Sequence, residues 1–377
     1  MSPVARPEAR EETACNLCGS RNDVVVGTRD RDGHPLRTVL CQTCGLVWTN
    51  PRPTTAEMNA YYGTTYRADY KGQRTPPLRK IVRGFIGAAD RRMMLRPLLA
   101  PRKGAPYDTP RKGAPYDTPR KGAPYDTPRK GAPYDTPRRA PLYGVPPRML
   151  DVGCGAGELV YLVRHDGVDA SGLDPGIEFA EFARAVLGVP IQTAAVDAAV
   201  VPPASQDLVT MFHALEHVPD PRGVLSTVRG WLTPGGHLVV EVPNISARVQ
   251  APSHQYHYAH LHHFTGATLG AMGEAAGLRL VSTAYTGDRG NVICVFERTD
   301  DGQRPPVGLE AEAARTLAEL RSHTALRHYT SPVPFTRALG RLRRRLAENR
   351  LLLRLKSVDD VLRWADSLAE AHPERRA

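Results

Sequence analysis

The stretch Asp151-Val-Gly-Cys-Gly-Ala-Gly-Glu158 is the most informative motif of this chain. It follows the apolar pair Met149-Leu150 and precedes the apolar run Leu159-Val-Tyr-Leu-Val163, so the pattern predicts a strand, a tight turn and the start of a helix. The three alternating glycines let the main chain turn sharply and let a ligand approach it closely, because no Cβ stands in the way. The loop therefore predicts a binding site for a flat, adenosine-like ligand.

Spacing and charge indicate which ligand the loop takes. A dinucleotide site typically has G-x-G-x-x-G with the pyrophosphate on the helix N-terminus, whereas this loop has G-x-G-x-G. Asp151 and Glu158 place a carboxylate at each end, which would repel a phosphate and attract a sulfonium cation. About 20 residues further on, a second short strand ends at Asp174, in position to hold both ribose hydroxyls. Motif and acid together resemble the S-adenosylmethionine (SAM) site of class I methyltransferases.

The segments downstream alternate as in a doubly wound α/β fold. Asp207–His213 is predicted to be a fourth strand, 232–236 a turn and 237–244 a fifth strand. The resemblance covers about Met149 to Arg298 and implies a Rossmann-like, seven-stranded methyltransferase sheet. By the same resemblance, SAM would be held by Asp151, Gly153, Gly155, Gly157, Asp174, Asp197 and His213.

Four of the six cysteines form a separate motif near the N-terminus. Cys15 and Cys18 make one C-x2-C pair, and Cys41 and Cys44 make a second pair after a gap of 22 residues. This spacing is typical of a zinc ribbon, whereas disulfides are disfavoured in a cytosolic chain. Four cysteines leave no open coordination position, so the predicted Zn²⁺ is structural.

The order of parts supports a second, less specific resemblance. The ribbon is followed by Asn50-Pro-Arg-Pro53, by a predicted short helix and by the Tyr61-Tyr62 pair. Thr54 or Thr55 is predicted to cap this helix, with Glu57 close behind. A ribbon, this turn and a SAM fold resemble the zinc-containing methyltransferases that include nucleotide-sugar C-methyltransferases. The resemblance implies a small-molecule or sugar-nucleotide acceptor, covered in part by Tyr62.

Five of the thirteen histidines lie between His254 and His263, directly after the predicted fifth strand. The carboxyl edge of the sheet meets the acceptor there, and methyl transfer to a protonated acceptor needs a base. His260 falls on the base of the sugar C-methyltransferases. Their preceding glutamate is replaced by Ala259, so O-, N- and C-methylation all stay open. A metal held by these imidazoles is a further alternative.

Glu216 and His217 follow the predicted fourth strand, close to where the methyl group should point. In ubiquinone-pathway O-methyltransferases a comparable Glu-His pair and an earlier glutamate hold a divalent ion. His213 stands at that earlier position here, so we expect no metal at this place. The candidate catalytic residues are His260, His217, Glu216 and Tyr62.

The formal charge of +11 is unevenly distributed. Pro101–Thr109 recurs unchanged at 110–118, 119–127 and 128–136 with a net positive charge in each copy, and Arg337–Lys356 holds eight basic residues and one acid. The rest is close to neutral, and the Asp/Asn-Pro-Pro-aromatic motif of base-amino methyltransferases is absent. We therefore expect no specific nucleic-acid partner. The alternative is a zinc-ribbon nucleic-acid-binding or RNA-methylating protein.

Composition and motifs divide the chain into five predicted segments. No run reaches the roughly 18 apolar residues of a membrane-spanning helix, and the N-terminus lacks a secretion signal, so a cytoplasmic protein is expected. The tail alternates apolar and basic residues, which fits an accessory helix on the core or peripheral docking on an anionic membrane. The segments are a zinc ribbon and connector (1–60), a helical segment (61–100), a disordered repeat linker (101–139), the methyltransferase domain (140–300) and a basic helical tail (301–377).

Deleting residues 101–136 is expected to leave SAM binding and turnover unchanged. The repeats enter at the N-terminal end of the first sheet strand, whereas ligands in such sheets bind at the carboxyl edge. Calorimetric titration with S-adenosylhomocysteine and turnover with labelled SAM measure both properties. A loss of activity of roughly tenfold in the deletion would contradict the prediction.

Overall fold

A computed structural model describes residues 10–60, 76–99, 146–300, 302 and 308–370. Tyr61, Tyr62 and the nonapeptide repeats lie outside these residues. The predictions made for them therefore stay predictions.

The N-terminal module consists of short strands around the cysteine pairs. Its strands β2, β3 and β4 pair in an antiparallel manner, and β1 pairs with β5. The elements are β1 (Arg10–Glu11), β2 (Asp23–Arg29), β3 (Pro35–Cys41), β4 (Val47–Thr49), β5 (Arg52–Pro53) and α1 (Thr55–Ala60).

A seven-stranded mixed sheet follows and confirms the predicted α/β fold class. Its strands are β6 (Arg148–Val152), β7 (Asp169–Leu173), β8 (Ile191–Gln192), β9 (Gln206–Phe212), β10 (Leu232–Pro243), β12 (Leu278–Tyr285) and β13 (Asn291–Arg298), with β11 (His262–His263) elsewhere. Their order is β12-β13-β10-β9-β6-β7-β8; only β13 runs antiparallel to its neighbours. The carboxyl ends of β6, β7, β9 and β10 therefore share one edge.

One predicted boundary is wrong. Leu232–Gly236 was expected to be a turn before the fifth strand, but β10 already begins at Leu232. The pairing with β9 shifts register between Leu232 and His237, and Gly235 has a φ of 67°. The Pro-Gly-Gly sequence thus makes an irregularity within the strand, because Leu232 still pairs with Gln206.

Helices cover both faces of the sheet. They are α2 (Leu78–Leu95), α3 (Glu158–His165), α4 (Ile177–Phe182), α5 (Pro221–Trp231) and α6 (Gly266–Ala275). One core joins Ile81 and Phe85 of α2 to Val160 and Leu162 of α3 and to the sheet. Such alternation of strands and covering helices buries the sheet on both sides, as a parallel sheet requires.

Local side-chain bonds explain where several helices begin. Thr54 and Glu57 form reciprocal bonds at the start of α1, with Thr54 N to Glu57 Oε2 at 3.1 Å and Glu57 N to Thr54 Oγ1 at 3.3 Å, as predicted. The Asp220 carboxylate accepts from Gly223 N at 3.0 Å ahead of α5. Thr265 and Thr268 make a capping box on α6.

The N-terminal module is joined to the sheet domain by a strand from the histidine-rich segment. Strand β11 pairs with β4 and completes a four-stranded sheet in the order β11-β4-β3-β2. Leu261 links three elements, since its carbonyl accepts from Thr49 N at 2.9 Å and its N–H donates to Glu216 O at 2.8 Å. Cys15, Leu17 and Trp48 pack in the same core as Met211 and Val240.

The tail is helical: its last two helices pack on α2, and its first helix packs on β2 and β3. Its helices are α7 (Glu310–Ser322), α8 (Ala325–Tyr329), α9 (Val333–Arg354) and α10 (Val358–Glu370). Buried Arg92 donates to both oxygens of Asp166, at 2.7 and 2.5 Å, and to the carbonyls of Leu368 and Ala369 in α10, at 2.9 and 2.8 Å. Within the described residues no helix is long and apolar enough to span a membrane.

Candidate active site

The glycine-rich loop turns at the carboxyl end of β6 as predicted. Gly153, Gly155 and Gly157 have φ values of 75°, 57° and 81°, which L side chains rarely adopt. A Cβ on Gly153 would lie 2.8 Å from that of Ala214, and one on Gly157 would lie 2.9 Å from Val189. A Cβ on Gly155 would meet nothing within 4 Å, so the middle of the loop is open for a ligand.

Asp174 lies against this loop at the end of β7. Its Oδ2 accepts from Gly155 N at 2.9 Å, and its Oδ1 accepts from Gly176 N at 2.7 Å. The carboxylate thereby ties the ends of the first two parallel strands together. Each carboxylate oxygen can accept further hydrogen bonds, so the group remains suitable for ribose hydroxyls.

Of the two other carboxyl groups of the loop, that of Asp151 is buried and that of Glu158 is half-buried. Burial raises the pKa of Asp151 to about 6, although Thr210 Oγ1 donates to its Oδ1 at 2.6 Å. Burial also raises the pKa of Glu158 to about 7, and Glu158 lies against the backbone of Gly84 in α2. A cation bound nearby would favour the ionised form of both groups.

Asp197 lies at the surface in the turn Val196–Ala198, beyond β8. Among the described residues its side chain has no recorded hydrogen bond or ion pair. The adenine-binding role predicted for Asp197 therefore stays a prediction.

His213 terminates β9 and has a φ of 55°, which directs its ring into a carboxylate pair. Its Nδ1 lies 3.3 Å from Glu216 Oε1, and its Nε2 lies 3.4 Å from Glu241 Oε1. Burial alone would lower the pKa of His213, but the two carboxylates outweigh it and raise the pKa to about 9. His213 is therefore cationic at neutral pH and is neutralised by its partners.

Sequence reasoning missed Glu241, Asn291 and Thr210. Burial would raise the pKa of Glu241, but His213 and Arg91 lower it to about 2. Asn291 Nδ2 donates to Glu241 Oε1 at 2.6 Å. The sequence did contain an indication of Glu241, because it is a single acid in the apolar run of β10. A charge in a buried strand is costly without partners, so such an acid predicts a polar contact.

His217 and His260 meet at the carboxyl edge, although they come from separate segments. Their ring centroids are 4.9 Å apart. His217 Nδ1 lies 2.8 Å from the carbonyl oxygen of Ala259, which can only accept, so this nitrogen carries a proton. Burial and the neighbouring imidazoles hold the pKa of His260 well below its usual range. His260 is thus a neutral imidazole at pH 7 and can accept a proton.

The structure separates the other histidines of the cluster. His254 is exposed, and His257 lies beside His260 at a centroid distance of 5.0 Å. His262 and His263 are buried in β11, where burial lowers the pKa of each to about 3. His257 and His260 thus lie beside His217 at the candidate site. His262 and His263 belong instead to the strand pair that connects the sheet domain to the N-terminal module.

Glu216, His217 and His260 also form a set of metal-binding groups. One ligand atom from each lies within 4.8 Å of the others, and Glu216 Oε2 is buried without a hydrogen-bond partner among the described residues. No metal was expected here because His213 replaces a glutamate. His260 supplies a third donor in place of that glutamate. The presence of His213 is therefore not sufficient to exclude a metal here. The same three groups could either transfer a proton or bind a metal ion.

The four N-terminal cysteines converge. Cys15 Sγ is 3.5 Å from Cys44 Sγ, Cys18 Sγ is 3.5 Å from Cys41 Sγ, and all four sulfurs lie within 4.8 Å of one another. None of the four forms a disulfide. Tetrahedral zinc with Zn–S bonds of about 2.3 Å places sulfurs about 3.8 Å apart, so the cluster fits that ion.

Comparison with known proteins agrees with this geometry. Residues 126–283 match a family described as a methyltransferase domain. The ubiquinone biosynthesis O-methyltransferase of Photorhabdus laumondii is 37% identical over 103 residues, which are 26% of this chain and 43% of that protein. The corresponding Vibrio cholerae protein is 37% identical over 26% of this chain and 42% of its own length. The chain thus spans less than half of each relative.

Among solved structures, an S-adenosylmethionine dependent methyltransferase from Mesorhizobium loti is 21% identical and has a TM-score of 0.35, covering 40% of this chain and 90% of that one. A score of this size does not support a conclusion about function. The family match and the seven-stranded sheet order, by contrast, agree on the same part of the chain. This chain contains a class I SAM-dependent methyltransferase domain.

Proposed function

We propose that the protein transfers the methyl group of SAM to a small-molecule or sugar acceptor, with His260 as the base. The observation that carries this proposal is a half-buried imidazole, with a lowered pKa, whose ring centroid lies 4.9 Å from that of His217 at the sheet edge that holds the glycine-rich loop. In the reaction the acceptor atom attacks the methyl carbon while the C–S bond breaks and its electrons return to sulfur. The acceptor proton moves to His260, and S-adenosylhomocysteine leaves.

The proposed SAM position follows from the glycine-rich loop. The ribose would lie over Gly155, with its hydroxyls on Asp174, and Asp197 would accept from the adenine amino group. In their ionised form the carboxyls of Asp151 and Glu158 would attract the positively charged sulfonium end. This placement leaves the methyl group pointing toward the ends of β9 and β10.

Asp174→Ala is expected to weaken S-adenosylhomocysteine binding roughly tenfold or more, which corresponds to about 1.5 to 3 kcal/mol for lost hydrogen bonds to a charged group. Calorimetric titration measures the affinity. Asp169→Ala is the matched control, because Asp169 is an exposed aspartate at the opposite end of the same strand. Equal affinities of wild type and Asp174→Ala would refute the site assignment.

An oxygen acceptor is favoured among the open alternatives. Ala259 lacks the carboxylate that the C-methyltransferase pattern places beside the base, and its carbonyl is already bound to His217. Removing a proton from a hydroxyl is easier than removing one from carbon, so a single imidazole is sufficient. The curated relatives are named as O-methyltransferases, which supports the same choice.

His260→Ala is expected to lower turnover by about 10² to 10⁴-fold while S-adenosylhomocysteine binding persists. His254→Ala serves as the control, since His254 is exposed in the same segment. Because burial lowers the pKa of His260, the wild-type rate on an acceptor of high pKa should stay level as the pH falls from about 8 to about 6.5. Turnover of His260→Ala within about threefold of wild type would exclude His260 as the base.

We also propose that Cys15, Cys18, Cys41 and Cys44 hold one structural zinc ion. The turns that present the sulfurs are closed by Gly19 N to Cys15 O at 2.8 Å and by Gly45 N to Cys41 O at 2.9 Å. Both glycines have positive φ, which these tight turns require. Bound zinc would fix the module that supplies β4 to the joint with β11.

Cys44→Ser is expected to lower zinc content from one ion per chain and to reduce the unfolding temperature, because zinc binding stabilises the folded module. Elemental analysis and thermal unfolding measure the two effects. Cys294→Ser is the control, since Cys294 is a buried cysteine outside the cluster. A natively purified wild-type protein without zinc would disprove the assignment.

A further inference from the structure

We propose that the exposed face of α9 docks on an anionic lipid bilayer. This inference goes beyond methyl transfer, because it concerns a surface on the tail and not the SAM site. It commits to one of the two alternatives that the tail sequence left open.

An apolar stripe, interrupted at Asn349, runs along α9 in contact with solvent. The side chains recur at helical spacing, so they lie on a single face that is about 27 Å long at 1.5 Å per residue. Their exposed fractions are Phe335 70%, Leu339 48%, Leu342 53%, Leu346 48% and Leu353 71%.

The stripe points away from the face by which α9 packs on the protein. Glu348 is buried and pairs with Arg83 of α2 through two bonds of 2.7 and 2.8 Å. Leu351 and Leu352 pack against the core that contains α2. At 100° per residue, Glu348 and Leu351 lie on the side of the helix opposite Phe335 and Leu353. No described element covers the stripe.

Arginines border the stripe on both sides. Arg343 and Arg350 lie along one border, and Arg345 lies along the other; all three are exposed. Glu348 is the one acidic residue of α9 and is already paired. The free face of this helix is therefore apolar in the middle and positive at its borders.

Charge decides which partner fits this face. A second copy of α9 would bring arginine borders together, and like charges at such positions oppose helix pairing. A nucleic acid could bind the arginines through its phosphates. Its hydrated sugar-phosphate backbone would then lie against five apolar side chains, which is unfavourable. An anionic bilayer satisfies both features, since leucine and phenylalanine enter the acyl boundary while arginines contact headgroups.

The position of α9 relates the docking face to the active site. Arg337 donates to the carbonyl of Val249 in the loop after β10, and its Nη2 lies 4.0 Å from Asp288 between β12 and β13. Both loops follow carboxyl ends of strands. The membrane anchor therefore begins at the sheet edge that would receive the acceptor.

Flotation of the full-length protein with vesicles tests the proposal. We expect binding to an equal mixture of phosphatidylcholine and phosphatidylglycerol, weakening with added salt, and little binding to phosphatidylcholine alone. Leu342→Gln with Leu346→Gln should weaken binding roughly tenfold per leucine. Arg343→Gln with Arg350→Gln should weaken it about fivefold per arginine.

Val281→Gln is the matched control, because Val281 is a 47% exposed apolar residue on β12 and outside α9. It should bind vesicles as the wild type does. Unchanged S-adenosylhomocysteine affinity in all variants would show that the fold and SAM site are intact. The proposal is overturned if the wild type does not float with anionic vesicles, or if both α9 double variants float as well as wild type. It is equally overturned if the stripe instead holds a dimer in ultracentrifugation that Leu342→Gln with Leu346→Gln dissociates.

Discussion

The antiparallel pairing of β11 with β4 is the contact on which the candidate site depends. It fixes His262 opposite Trp48 and His263 opposite Val47, so the segment leading into β11 cannot move independently of the N-terminal module. Leu261 extends the same connection to the turn after β9. Because His260 directly precedes Leu261, the backbone bonds that hold the module also hold the proposed base against His217.

This arrangement gives the N-terminal module a role in the site without requiring it to contact the cofactor. The cysteine cluster orders the turns before β2 and β4, and β4 in turn provides the partner for β11. A zinc ion in such a cluster would influence catalysis indirectly, through the position of the module and of His260. The module is attached to the sheet domain both by this strand pair and by a shared core, in which Cys15, Leu17 and Trp48 pack with Met211 and Val240.

The carboxyl edge of the sheet combines two kinds of electrostatic environment. Around the glycine-rich loop, desolvation raises the pKa of Asp151 and of Glu158, and a nearby cation would favour the ionised form of both carboxyls. Beyond β9, His213 is held cationic by Glu216 and Glu241, while His260 is held neutral by burial. One edge therefore combines carboxyls of raised pKa with an imidazole of lowered pKa, because burial disfavours the charged form of both kinds of group.

Features that depend on short-range geometry could be predicted from the sequence. The glycine-rich loop, the acid at the end of the second strand, the C-x2-C pairs and the alternation of strands and helices each depend on residues close together in the chain, where backbone conformation and ligand spacing restrict the choice. Tertiary structure decided which histidine meets His217, which partners His213 takes, and which face of α9 stays exposed. These outcomes depend on contacts between distant segments, and a cluster of histidines or an amphipathic helix is compatible with several partners until the surrounding packing selects one.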